Sequence, residues 1–131
     1  MRALLAALGF ALVPPALGCG VCIEDKIAAA YDHAVIAHAL ERRQSVVFFG
    51  IEGALPAGSD VQRKLRAAAQ SVAGVEGDTV RVSIESASLS FAFDQARHPL
   101  GPILRALNRK LAASGLNAFP LRVVDSAPAR R

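Results

Sequence analysis

The run Val46-Val47-Phe48-Phe49-Gly50-Ile51 constrains this chain more than any other stretch. It is continuous, apolar and rich in β-branched and aromatic residues, so residues Gln44 to Ile51 read as a central strand rather than an edge. Gly53, Pro56 and Gly58 then mark a loop. Ser59, followed three residues later by Gln62, predicts a helix start with a capping box. That helix has Val61, Leu65, Ala68 and Val72 on its apolar side and ends near Gly74.

The remaining elements follow from changes in hydrophobic period. Gly77-Asp78 makes a turn, and Thr79 to Glu85 alternates, with Val80, Val82 and Ile84 on one face. After a short break at Ser86-Ala87-Ser88, Leu89, Phe91 and Phe93 form the inner face of a second strand, completing a hairpin. Pro99 to Ala113 is a second surface helix with Leu100, Ile103, Leu104, Leu107 and Leu111 in its stripe. Its prolines fit only in the first turn, and Gly115 stands at the C-cap. Phe119, Leu121 and Val123 alternate in a last strand. Ahead of all this, Ile23 to Leu40 predicts one helix with a thin, Ala-rich apolar side. It docks on the sheet or on a second subunit, or else projects.

The order is therefore β-α-β-β-α-β. This predicts an α+β fold, a ferredoxin-like β-α-β-β-α-β sandwich preceded by an extra N-terminal helix. Two amphipathic helices would cover one face of a four-stranded antiparallel sheet.

The N-terminus reads differently. Met1-Arg2 is a short basic start, Ala3 to Val13 are all apolar or Gly, and Pro14-Pro15 precede Ala16-Leu17-Gly18. This is the layout of a signal peptide with a small-x-small cleavage site, and the apolar run is too short to span a bilayer. The expected organisation is a signal peptide at 1–18, a Cys-x-x-Cys segment with its helix at 19–43, the ferredoxin-like domain at 44–125, and a disordered tail at 126–131. The location implied is periplasmic or otherwise exported. Ala16-Leu17-Gly18-Cys19 also resembles a lipoprotein processing box, in which Cys19 carries lipid and the protein is membrane-anchored.

Formal net charge is +4 for the whole chain. Its basic residues read as scattered small clusters, Arg42-Arg43, Arg63-Lys64-Arg66, Arg109-Lys110 and Arg130-Arg131, rather than the concentrated stripe of a nucleic-acid binder. Nucleic acid is therefore not an expected partner. Contact with the membrane is expected only through the signal segment or a lipidated Cys19.

The two cysteines are Cys19 and Cys22, both at the export junction. A disulfide between them closes a tiny loop and staples nothing. As thiolates they can close on one ion across a turn, and two sulfurs suit linear copper(I). Cys22 at a helix start has its thiolate favoured by the helix dipole. His33 stands about 16 Å from Cys22 along a continuous helix, too far to share an ion without a fold-back. Thiol–disulfide exchange is the competing chemistry, although no strand precedes the motif and Gly20-Val21 is not a diagnostic redox pair. No other catalytic or phosphate-cradling arrangement stands out, so an enzyme is not expected.

Val46 to Val124 resembles the heavy-metal-associated domain family of small copper and mercury carriers. The residues that carry the likeness are Val46 to Gly53, Val72-Ala73-Gly74-Val75, the hairpin Thr79 to Asp94, Leu100 to Gly115 and Pro120 to Val124. The family's metal loop is Met-x-Cys-x-x-Cys between the first strand and first helix. Here that place holds Ala54-Leu55-Pro56-Ala57-Gly58-Ser59, with no Cys, Met or His. The resemblance implies a metal-handling role, with Cys19 and Cys22 as metal ligands, copper(I) or a similar soft ion as the cargo, and metal-handling or membrane-associated proteins of the same compartment as partners. Beside it stand two alternatives: a non-catalytic interaction or assembly module on a degenerate carrier fold, and a thiol–disulfide exchange protein.

Overall fold

A computed structural model describes residues 22–126. Among these the chain forms four α-helices, α1 (Ile23–Ala29), α2 (His33–Glu41), α3 (Ser59–Gln70) and α4 (Leu100–Ala112), and four strands, β1 (Ser45–Glu52), β2 (Arg81–Ser83), β3 (Ser88–Phe93) and β4 (Asn117–Val124). The strands make one antiparallel sheet in the order β2-β3-β1-β4. The fold is α+β.

β1 lies in the sheet interior and is buried from Ser45 through Ile51. Alternate β1 side chains point to opposite faces, and both faces are covered. Val47, Phe49 and Ile51 join Leu89, Phe91 and Phe93 of β3 beneath Leu65, Ala69, Ile103, Leu107 and Leu111 of α3 and α4. Phe49 and Phe91 sit with ring centroids 5.3 Å apart, and Phe93 meets Phe91 edge-on. On the reverse face, Val46, Phe48 and Ala92 pack against Ile27, Ala30, Val35 and Ala39 of the α1–α2 segment. The molecule is thus three layers deep.

Four sequence-based expectations are corrected. The single helix Ile23 to Leu40 is two helices, because the chain breaks after Ala29 and restarts with Asp32 as N-cap: Asp32 Oδ1 accepts from the backbone N–H of Ala34 and Val35 at 3.0 and 3.3 Å. The capping box at Ser59 does not form. Gly58 is the N-cap, and Gln62 instead donates from Nε2 to the Val82 carbonyl at 3.2 Å, tying α3 to β2. α3 ends at Gln70, short of Gly74. The strand expected at Thr79 to Glu85 shrinks to Arg81–Ser83, because Gly77–Thr79 winds into a 3-10 turn. A short edge strand leaves little unpaired backbone for another chain to extend.

The last strand also departs from simple alternation. The β1–β4 register shifts between Phe48, opposite Arg122, and Phe49, opposite Pro120, leaving Leu121 as the extra residue. Leu121 and Val124 pack with the α1–α2 layer, whereas Ala118 and Val123 pack with the α3–α4 layer. Pro120 is tolerated because β4 is an edge. Asn108 of α4 secures that edge, donating to the Ala118 carbonyl at 3.0 Å and accepting from the Ala118 N–H at 2.7 Å.

Candidate functional site

Cys19 lies outside the described residues, as do the proposed signal segment and residues 127–131 of the tail. Cys22 is the N-cap of α1, exposed and in extended backbone, and its carbonyl accepts from the Lys26 N–H at 3.1 Å. α1 is short, so its position depends on tertiary contacts rather than on its own helix stability. Ile27 is buried in the reverse core. Lys26, 8% exposed, donates from Nζ to the Ser86 and Ala87 carbonyls in the β2–β3 turn, at 2.7 and 3.3 Å. Arg122 of β4 pairs with Glu24 at 2.6 Å. These contacts fasten the start of α1, and with it Cys22, to the folded sheet.

The histidines are dispersed. His33 Nδ1 lies 3.4 Å from the Tyr31 hydroxyl, and His38 lies 3.5 Å from Glu41. His98 packs beside Gly74, in a polar recess that Glu76, Asp94 and Arg97 also line. Among the described residues no group of three or more His, Cys, Asp or Glu is placed to hold a metal ion. Glu52 and Asp94 lie at opposite ends of the sheet: Glu52 is the last residue of β1, and Asp94 follows Phe93, the partner of Ser45.

Asp32 joins the α1–α2 layer to the sheet. Besides capping α2, its Oδ2 accepts from Arg81 Nε at 2.9 Å. The Arg81 guanidinium, followed by the Val35 N–H, holds this carboxyl below its ordinary value of 3.8. The reverse face is otherwise polar for a core. Ser90 Oγ donates to the Ala30 carbonyl at 2.6 Å, and Ser88 Oγ is buried without a hydrogen-bond partner among the described residues.

A cleft of about 450 Å³ opens between α3 and α4. Its floor is apolar, with Val61, Leu65, Leu111 and Leu116, and Lys64 and Lys110 line it from different helices. The β1–α3 loop closes one end. Gly53 has φ +114, and a Cβ there would stand 2.6 Å from the Gly115 carbonyl, so the loop rests directly on the α4–β4 turn.

The fold gathers charges that were dispersed along the chain. α3 and α4 expose Arg63, Lys64, Arg66, Arg105, Arg109 and Lys110 against one carboxylate, Asp60, which pairs with Arg63. On the opposite layer α1 and α2 carry Glu24, Asp25 and Glu41, with Lys26 buried; Arg42 and Arg43 follow α2. Sequence reasoning missed both features. Lys26 stands next to Ile27 and four residues before Ala30, both buried, which marks it as facing inward. Lys64 and Lys110 each immediately precede a buried Leu, at the rim of an apolar stripe, but their convergence depends on how the helices cross.

No family model matches the chain, and neither a curated protein nor a solved structure shows significant similarity to it. Among the described residues, no helix is long and apolar enough to cross a membrane.

Proposed function

We propose that this is an exported protein of ferredoxin-like, heavy-metal-associated type that carries a soft ion such as copper(I) between Cys19 and Cys22, without enzymatic activity. The fold part of this reading is supported by the strand order β2-β3-β1-β4, with the α3 and α4 connections on one face of the sheet. The observation that carries the functional part is the fastening of α1. Cys22 is exposed at the head of a helix that Ile27, Lys26 and Glu24 hold against the sheet. The Cys22 thiol is thereby presented by the domain rather than left on a free leader. Thiolates are the donors a soft monovalent ion selects, and the loop 54–59 offers none.

Anaerobic titration of the reduced secreted protein with copper(I) tests this. Stoichiometric binding that is lost in the Cys19→Ser/Cys22→Ser variant is expected. Binding unchanged by that variant, or no tight binding, overturns it. The intact mass of the secreted form reports cleavage after Gly18 and any lipid on Cys19; a lipidated Cys19 has no thiol and would also end the metal reading. A thiol-independent interaction module is the second reading, favoured by the cationic α3–α4 layer.

A further inference from the structure

We propose that the cleft between α3 and α4 binds a small anionic amphiphile, with its acidic head between Lys64 and Lys110 and its apolar chain along the floor. The inference does not involve Cys19 or Cys22. The cleft has the dimensions of a small-molecule site, about 450 Å³ against the roughly 300–1,000 Å³ usual for such sites. Its lining combines two chemistries. Leu65 and Leu111, each 3% exposed, and Leu116, 6% exposed, form a hydrocarbon floor. Lys64 and Lys110 line the same cleft from separate helices, and among the described residues no acidic side chain lines it. An apolar ligand would leave those cations without a counter-charge, and a purely ionic one would leave the floor wet. A carboxylate or sulfate on a short alkyl chain answers both.

The surroundings favour the same class. Arg63, Arg66, Arg105 and Arg109 are exposed on the same two helices and add positive charge to this layer, which attracts an anion before contact. A membrane surface fits less well. The exposed large apolar side chains among the described residues are Ile23 and Tyr31, which belong to the α1–α2 segment and not to α3 or α4. Among the described residues, α3 and α4 therefore present no fully exposed large apolar side chain for a bilayer.

The probe is decanoate, titrated into the purified protein below its micellar range and followed by calorimetry and amide chemical shifts. One decanoate per chain is expected, with shifts centred on Leu65, Lys110 and Leu116. Lys64→Ala/Lys110→Ala, which alters only exposed side chains, is expected to weaken binding at least tenfold. Ala68→Phe, which fills the cleft, is expected to abolish it. Decanol and acetate, each carrying half of the chemistry, are expected to bind at least tenfold more weakly than decanoate. Cys19→Ser/Cys22→Ser is expected to leave decanoate binding unchanged, which separates this proposal from the metal reading. The proposal is overturned if decanoate does not saturate, or if the double lysine variant binds as well as the parent. It is equally overturned if phosphatidylglycerol vesicles sediment the protein while decanoate leaves its spectrum unchanged, since the face would then recognise a membrane surface.

Discussion

The two faces of the sheet are closed by different means. On one, α3 and α4 lay Leu65, Ile103, Leu107 and Leu111 over Phe49, Leu89, Phe91 and Phe93, so large side chains fill the space. On the other, the α1–α2 segment brings smaller residues, Ala30 and Ala39 beside Ile27 and Val35. Polar contacts then give that layer its position: Lys26 on the β2–β3 turn, Ser90 on the Ala30 carbonyl and Asp32 on Arg81. One layer is held by buried volume and the other by a few directional contacts. A layer with less buried apolar surface opens at lower free energy than the global fold. This matters for function, because the layer that should open first is the one that carries Cys22.

The largest test of this contrast is a pair of truncations. Phe91→Ala removes a fully buried ring from the large core and is expected to cost about 3–5 kcal/mol. Ile27→Ala, in the small core, is expected to cost about 2 kcal/mol, at the low end for an aliphatic truncation, because its site borders the surface. Urea unfolding measures both. Equal losses would break the comparison, showing that the α1–α2 layer is as much a part of the core as the other.

Lys26→Met keeps the aliphatic stem and removes the donor to the Ser86 and Ala87 carbonyls. A loss of about 1–3 kcal/mol is expected, the range for leaving buried groups unpaired. The location of the effect is more telling than its size. Hydrogen exchange should quicken across α1 and α2 and stay unchanged in α3 and α4. If every element quickens equally, the layers do not open separately.

Gly50 tests the reverse face at the level of a single methyl. A Cβ there would stand 2.4 Å from Phe119 Cζ, closer than side chains approach. Gly50→Ala is expected to cost about 1–3 kcal/mol through overpacking. Pairing it with Phe119→Ala should recover part of that loss in a double-mutant cycle. Additive losses would mean that the clash is relieved elsewhere.

The same contrast explains what was legible in the sequence. The α3–α4 face could be read because its signals are periodic: Leu65 and Val72, then Ile103, Leu107 and Leu111, with Leu89, Phe91 and Phe93 alternating against them. The reverse face left weaker traces. Val46 and Phe48 are as apolar as Val47 and Phe49, which calls for a cover on both sides, but the covering helices are Ala-rich and their apolar stripe is thin. The break before Asp32 was masked by uniform helix propensity in Ala28-Ala29-Ala30, and the bond from Asp32 to Arg81, 49 residues away, leaves no local trace. The candidate sites divide likewise. Cys22 was visible as a motif, whereas the cleft between Lys64 and Lys110 arises only when two helices meet.

The smallest expected effect concerns that same Asp32. Because Arg81 and the Val35 N–H hold its folded-state pKa below the ordinary 3.8, its contribution is fully present above that value. It is lost as pH falls through the lower folded value. Exchange protection in α2 should therefore hold at neutral pH and decline in strong acid. Arg81→Gln removes the largest cause of the shift, so the decline should be smaller and be complete at higher pH, with the α2 N-cap still in place. Solvent screening at this surface position keeps the effect small. A variant whose acid profile in α2 overlays that of the parent would show that Asp32 serves α2 as a cap alone, leaving the reverse layer with one fewer tie to the sheet.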